Sequence, residues 1–174
     1  MTFMLAELPP VPASPQTPEP PSPTDPDLQA RALIGQAMHC LLEWGGAGEP
    51  QMDAVRRQFG LDQSQCLQAA EAARRILIGE GAWLWHGDRL TWQGNEVELV
   101  YQGRLQRIDR LVQDRDGTWW VVDFKSHASP QDQPALAQQL RTYVRAVEAL
   151  NPGQPVRAVF LTAQGRLIDL PQDV

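Results

Sequence analysis

Lysine is almost absent from this chain: 14 of its 15 basic residues are arginine, and Lys125 is the exception. Cysteine is nearly as scarce. Two residues, Cys40 and Cys66, exclude a disulfide framework and any four-cysteine zinc or iron–sulfur site built from this chain alone. No apolar run approaches the roughly 18–20 residues a membrane helix needs, so no membrane association is expected. Met1 to Leu8 carries no basic stretch and no long apolar stretch, so no secretory signal is read there. The expected setting is a reducing cytoplasm. A phosphate-cradling G-x-x-x-x-G-K-[ST] loop needs a lysine, and the single lysine follows Asp123-Phe124. There is therefore no ATP site of that kind and no ATP-driven motor.

What is plentiful is unevenly placed. Nine of the 15 prolines lie between Pro9 and Pro26. Proline removes backbone donors, and few large apolar residues offset the entropy of ordering. Residues 1–26 are expected to be a disordered Pro-rich linker, either a plain tail or the end of a longer ancestral or split protein. Four acids and no base fall within residues 1–27, so the tail supplies −4 of the formal net charge of −6. The remainder, 15 basic and 17 acidic residues, is nearly neutral. Residues 27–174 are long enough for one domain with its own core.

Helical spacing of Leu33, Ala37, Leu41 and Trp44 predicts a helix from Asp27 to Trp44, stopped by Gly45-Gly46. A short helix from Met52 to Phe59 ends at Gly60, and a third, capped by Asp62, runs to Ile78. Strand rhythm follows. Ala82–Trp85 and Leu90–Trp92 flank His86-Gly87-Asp88-Arg89 as a hairpin. Glu96–Tyr101, Arg104–Gln113 and Trp119–Lys125 come next, then a helix from Gln133 to Leu150. Val156–Leu161 and Leu167–Leu170 close the chain as strands. The order predicts an α/β or α+β domain with a mixed sheet.

Alternation along Val121-Val122-Asp123-Phe124-Lys125 projects Asp123 and Lys125 to one side and Val122 and Phe124 into the core. A carboxylate holds a hard cation through oxygen, and a nearby ammonium can act on a water or a phosphate. A surface ion pair at a strand end is the plainer reading. Asp109 sits on the preceding strand, and pairing about a turn near Asp116-Gly117 brings it close to Asp123. Two such carboxylates need something positive between them, either a metal or Arg107 and Arg110. Glu96 and Glu98 share a face of the strand before. His39 lies on the first helix with Glu43 one turn on, placed to orient the imidazole. Gln139 and Tyr143 share a face of the later helix.

Gly35-x-x-x-His39-x-x-Leu42-Glu43, Glu96, Arg107-Ile108-Asp109-Arg110-Leu111, Val122-Asp123-Phe124-Lys125-Ser126 and Gln139-x-x-x-Tyr143 occur in that order. The set resembles the nuclease domain of the PD-(D/E)XK superfamily, in particular the C-terminal nuclease domain of RecB/AddA-type, UvrD-like helicase–nucleases. The resemblance covers about residues 28–170. It implies a restriction-endonuclease-like αβββαβ core with a mixed central sheet, preceded by extra helices. It also implies Mg²⁺ or Mn²⁺ held by His39, Asp109, Asp123 and the Phe124 carbonyl. Lys125 would act as the catalytic lysine beside Asp109 and Asp123, and Gln139 and Tyr143 would support the site and the DNA. Glu96 matches the family's strand glutamate better than Glu98, as ligand or as support.

The implied function is Mg²⁺-dependent, exonuclease-like DNA hydrolysis in DNA repair. DNA would be the partner, and a separate UvrD-like helicase a second one, because no motor is present here. The alternative is a non-catalytic DNA-binding or protein-docking remnant of a split helicase–nuclease.

Overall fold

The computed structural model describes residues 26–170. The expected linker, apart from Pro26, lies outside the described residues, and Pro26 itself heads the first helix. Four helices are found there: α1 (Pro26–Glu43), α2 (Glu49–Phe59), α3 (Gln63–Ile78) and α4 (Pro134–Leu150). The strands are β1 (Leu90–Tyr101), β2 (Arg104–Asp114), β3 (Trp119–Lys125), β4 (Val156–Thr162) and β5 (Leu167–Asp169). They form one sheet in the order β1-β2-β3-β4-β5. Only β3 and β4 run parallel, joined across α4; the other neighbours are antiparallel. The expected mixed sheet and αβββαβ order, with helices in front, are therefore present.

Local chemistry explains the helix ends. Asp62 accepts from the Gln65 N–H at 2.8 Å, while the Gln65 side chain accepts from the Asp62 N–H at 3.0 Å. This reciprocal pair satisfies two donors that α3 would otherwise leave unmet. Gly60 ends α2 at φ +64, the left-handed conformation that glycine adopts without penalty.

Three layers result. Met38, Leu41, Leu42, Val55, Ile76, Val112, Val122 and Phe124 form a core between α1–α3 and one face of the sheet. Ile108, Leu111, Val121, Leu140, Tyr143, Val147 and Phe160 form another between α4 and the opposite face. Ile108 and Leu111 share a layer although they are three residues apart, so the in–out alternation of β2 breaks between them. That break falls at Asp109-Arg110.

Two expectations need correction. Ala82–Trp85 is a 3₁₀ turn rather than a strand, and a second 3₁₀ turn over Gly87–Arg89 replaces the expected hairpin. Turn hydrogen bonds, Leu84 N–H to Gly81 O and His86 N–H to Trp83 O, satisfy this backbone within itself. The Leu161 side chain fills the space that a Cβ on Gly81 would need, so the segment lies tight against β4. A short run of alternating apolar residues does not by itself distinguish such a turn from a strand. Leu90–Trp92 and Glu96–Tyr101 are one continuous strand rather than two.

The C-terminus of α3 is sewn to the β4–β5 turn by the Glu80 N–H, which donates to the Gly165 carbonyl at 2.9 Å. A Cβ on Gly79 would run into the carbonyls of Gly165 and Arg75, whereas one on Gly35 in α1 would meet open space. Gly79→Ala is therefore expected to lower unfolding free energy by about 1–3 kcal/mol, an overpacking cost. Gly35→Ala is expected to raise it by roughly 0.5–1 kcal/mol, the helix-propensity gain. Urea titrations of the two variants check both signs.

Candidate metal centre

Strand register gathers acidic residues into a row. In the β1–β2 ladder, Asn95 pairs with Arg110 and Val97 with Ile108, which brackets Glu96 opposite Asp109. The β2–β3 ladder begins at Arg110↔Val122, so Asp109 and Asp123 stand just past its last pair. Three neighbouring strands thus each contribute one carboxylate at the same level. His39 comes from α1, which buries Ala37, Met38, Leu41 and Leu42 and leaves the imidazole at the margin of that apolar stripe.

Glu96 reaches this row through an unusual backbone. Its φ is +48°, in the left-handed region that a residue with a Cβ enters at a cost of about 1–2 kcal/mol. Ligand atoms of His39, Glu96 and Asp109 all lie within 4.8 Å of one another. His39 Nδ1 is 3.7 Å from Asp109 Oδ1. The other oxygen of Asp109 accepts from the Phe124 N–H at 2.8 Å. Glu96 is paired with Arg107 at 2.8 Å. Asp123 is buried, and Lys125 Nζ lies 2.7 Å from its Oδ2. That contact is a close ion pair.

Electrostatics follow from the crowding. Burial raises the Asp109 carboxyl to about 6; the Phe124 N–H and Lys125 oppose the shift, and Glu96 adds to it. Burial also raises Asp123 to about 6, reinforced by the charge of Asp109 and opposed by Lys125 and His39. Burial lowers His39, against the pull of Asp123. The imidazole is thereby favoured in its neutral, lone-pair-bearing form. Burial raises the Tyr143 phenol, and the charge of Asp123 raises it further, so α4 presents this hydroxyl to the acidic row. Gln139 donates to the Tyr143 oxygen at 2.7 Å.

The expected site residues are thus largely brought together, with changes of emphasis. Glu96, undecided between ligand and support, belongs to the tightest donor group. Asp123, expected as a ligand, is not in that group and stands beside it against Lys125. Phe124, expected to contribute its carbonyl, contributes its N–H to Asp109. Glu43, expected to orient His39, is exposed on the cavity rim, and its main-chain carbonyl accepts from Asn95 at 3.0 Å. Arg107 meets the acidic charge as the plainer reading required, but Arg110 turns away from it to the Leu84 carbonyl. Asn95 was not singled out at all; an amide next to a strand glutamate gives no signal in sequence.

An open cavity of about 470 Å³ lies over the cluster, with Gln36, Phe59, Glu43 and Arg107 in its wall. Two carboxylates and a neutral imidazole at this spacing, beside the buried Asp123 carboxylate, fit a hard divalent cation. A family model described as the PD-(D/E)XK nuclease superfamily matches residues 15–169. No curated protein is significantly similar in sequence. Among solved structures, the crystal structure of SSO0001 is similar over 84% of this chain and 78% of its own, at 15% identity and a TM-score of 0.31. That likeness is too distant to carry an argument. No helix among the described residues is long and apolar enough to cross a membrane.

The raised carboxyl of Asp109 has a thermodynamic consequence. With a folded pKa of about 6 against an ordinary 3.8, the folded state holds the proton more tightly than the unfolded one. Metal-free stability from this group is therefore present at low pH and is lost as pH rises through 6. Asp109→Asn removes the penalty and can keep an oxygen for the Phe124 N–H. In EDTA the variant should be more stable than wild type by about 2–3 kcal/mol at pH 7.5. The difference should shrink to about 0.5 kcal/mol at pH 4 and vanish by about pH 3, where the wild-type carboxyl is neutral in the folded and unfolded states alike. Paired thermal melts across this range provide the check.

Proposed function

The chain belongs to the PD-(D/E)XK nuclease superfamily, and on that premise we propose that it is a Mg²⁺- or Mn²⁺-dependent deoxyribonuclease. The observation that carries the proposal is the donor group His39, Glu96 and Asp109 set beside the Asp123–Lys125 pair. The finer reading is an exonuclease-like module akin to that of RecB/AddA-type DNA-repair helicase–nucleases. It would act on DNA in the cytoplasm with a UvrD-like helicase as a separate subunit. The ordered motifs from His39 to Tyr143 support that reading.

His39, Glu96 and Asp109 would hold the ion, with Asp123 as the next carboxylate available to it. When bound, such an ion supplies Lewis-acid chemistry, acidifying water and polarising a phosphodiester. The protein's own groups do the rest. The Phe124 N–H fixes the orientation of Asp109. Asp123 keeps the Lys125 ammonium within the site and partly out of solvent. From there the ammonium donates to a phosphate oxygen as negative charge builds during hydrolysis, a contact that strengthens toward the transition state. Gln139 holds the Tyr143 hydroxyl so that α4 offers polar groups to the same sugar–phosphate strand.

Purified protein is expected to cleave linear DNA with Mg²⁺ or Mn²⁺ and to stop in excess EDTA. Lys125→Arg should keep the fold and metal binding but reduce cleavage by about 10²-fold or more, the typical loss for one transition-state contact. A guanidinium is planar, larger and prefers paired contacts. Wild-type rates in Lys125→Arg would remove the lysine from the chemistry, and undiminished cleavage in EDTA would remove the metal. DNA binding without cleavage under every metal condition would establish the non-catalytic remnant instead.

A further inference from the structure

Arg110 is a full charge buried without a counter-ion. Its side chain is 2% exposed. Nε and Nη2 donate to the Leu84 carbonyl at 3.2 and 2.7 Å, and Nη2 also donates to Gln93 Oε1 at 2.6 Å. Nη1 donates to Asn95 Oδ1. The guanidinium lies 4.8 Å over the Trp85 ring. Every one of these partners is neutral. A buried ion balanced only by dipoles is expensive to keep. Stability alone does not account for an arginine between Ile108 and Leu111 on a strand whose other inward residues are aliphatic.

What the guanidinium holds is the back of the metal centre. Asn95 is clamped at both ends, its Oδ1 by Arg110 and its Nδ2 by the Glu43 carbonyl at 3.0 Å. The next residue is Glu96, with its left-handed backbone. Clamping Asn95 fixes the chain at the point where β1 makes that turn. On β2, Arg110 directly follows Asp109. Under the guanidinium, Trp85 donates to the Leu42 carbonyl at 3.2 Å and stacks on Phe124 with ring centroids 5.9 Å apart. Phe124 in turn meets the His39 ring edge-on at 5.4 Å and holds Asp109 through its N–H. The supports of all three donor groups converge on one side chain.

We infer that Arg110 is a positioning residue of the metal centre: its grip on Asn95 holds β1 in the left-handed turn that brings Glu96 to His39 and Asp109. The inference rests on the reading of that cluster as a metal site, and it goes beyond that reading by assigning the device that assembles the cluster.

The test is calorimetric titration of the metal-free full chain with Mn²⁺, without DNA. Asn95→Ala leaves Arg110 anchored on Leu84 and Trp85 and is expected to weaken Mn²⁺ binding by about tenfold or more, the usual loss for a group that orients a ligand. Glu96→Ala should weaken it at least as much. In the Glu96→Ala background, Asn95→Ala should change affinity by less than about twofold, because the amide acts through Glu96. Arg110→Lys keeps the charge but loses the fork, and should match Asn95→Ala.

A purely structural role predicts something else: lower melting temperatures with unchanged Mn²⁺ affinity of the folded variants, or losses that multiply in the double variant. Either result overturns the inference. If Arg110→Lys does not fold, the Asn95/Glu96 cycle decides alone. Wild-type protein that takes up no Mn²⁺ overturns the underlying metal reading. That result is distinct from intact binding that Asn95→Ala leaves untouched.

Discussion

Three carboxylates at one level of three neighbouring strands repel one another, and burial makes the repulsion stronger. Most of what surrounds Glu96, Asp109 and Asp123 answers that cost. Arg107 meets Glu96 at 2.8 Å, Lys125 meets Asp123 at 2.7 Å, and the Phe124 N–H meets Asp109 at 2.8 Å. Each carboxylate therefore has a close partner of its own, and for Asp109 and Asp123 this does not offset burial. Asp109 and Asp123 still sit near 6, so protons compete for them around neutrality. A divalent cation relieves this charge in a way three separate partners do not, because it acts on several carboxylates at once. The incomplete compensation of Asp109 and Asp123 is what suits the cluster to a cation rather than to a set of finished ion pairs.

Topology decides where such a row can exist. β2 stays paired to β1 to the hairpin tip at Tyr101↔Arg104, but parts from β3 beyond Arg110↔Val122. The parting frees the Phe124 N–H from the β2 ladder and gives it to the Asp109 side chain. Meanwhile β3 is locked to β4 along its whole length, from Trp119↔Val156 to Lys125↔Thr162. Asp123 and Lys125 are thus on a rigid strand, whereas Glu96 and Asp109 are on a ribbon that needs separate fixing. The packing of Arg110, Asn95 and Trp85 supplies that fixing from the side of α1.

How much of this was legible in sequence varies by the kind of signal. α1 and α3 were readable because apolar spacing, Asp62 and the glycines at 45 and 79 all agree. The Asp109–Asp123 proximity was readable because a turn at Asp116-Gly117 sets antiparallel register. The segment from Ala82 to Trp85 was not, since a period-two pattern over four residues is satisfied equally by a 3₁₀ turn under a glycine. Glu96 and Glu98 were readable as candidates but not as a choice. Alternation puts them on one face as equals, and only the positive φ at Glu96 separates them. Backbone strain of that kind is a tertiary outcome, held here by Asn95 and Arg110, and leaves no mark on local propensity.

Arg110 and Lys125 differ in kind, and the difference follows from what each contacts. Arg110 is surrounded by acceptors at separate points: one carbonyl taken by two nitrogens, and two side-chain amide oxygens. Only a planar fork with five N–H donors reaches them together while laying its face on Trp85. An ammonium at that position would leave acceptors buried and unmet. Lys125 stands against one carboxylate oxygen, that of Asp123, and is largely shielded from solvent. In a chain that otherwise uses arginine at every basic position, the one compact cation falls against a single buried carboxylate, which a point charge satisfies. Arg110 instead grips Asn95, the residue before Glu96.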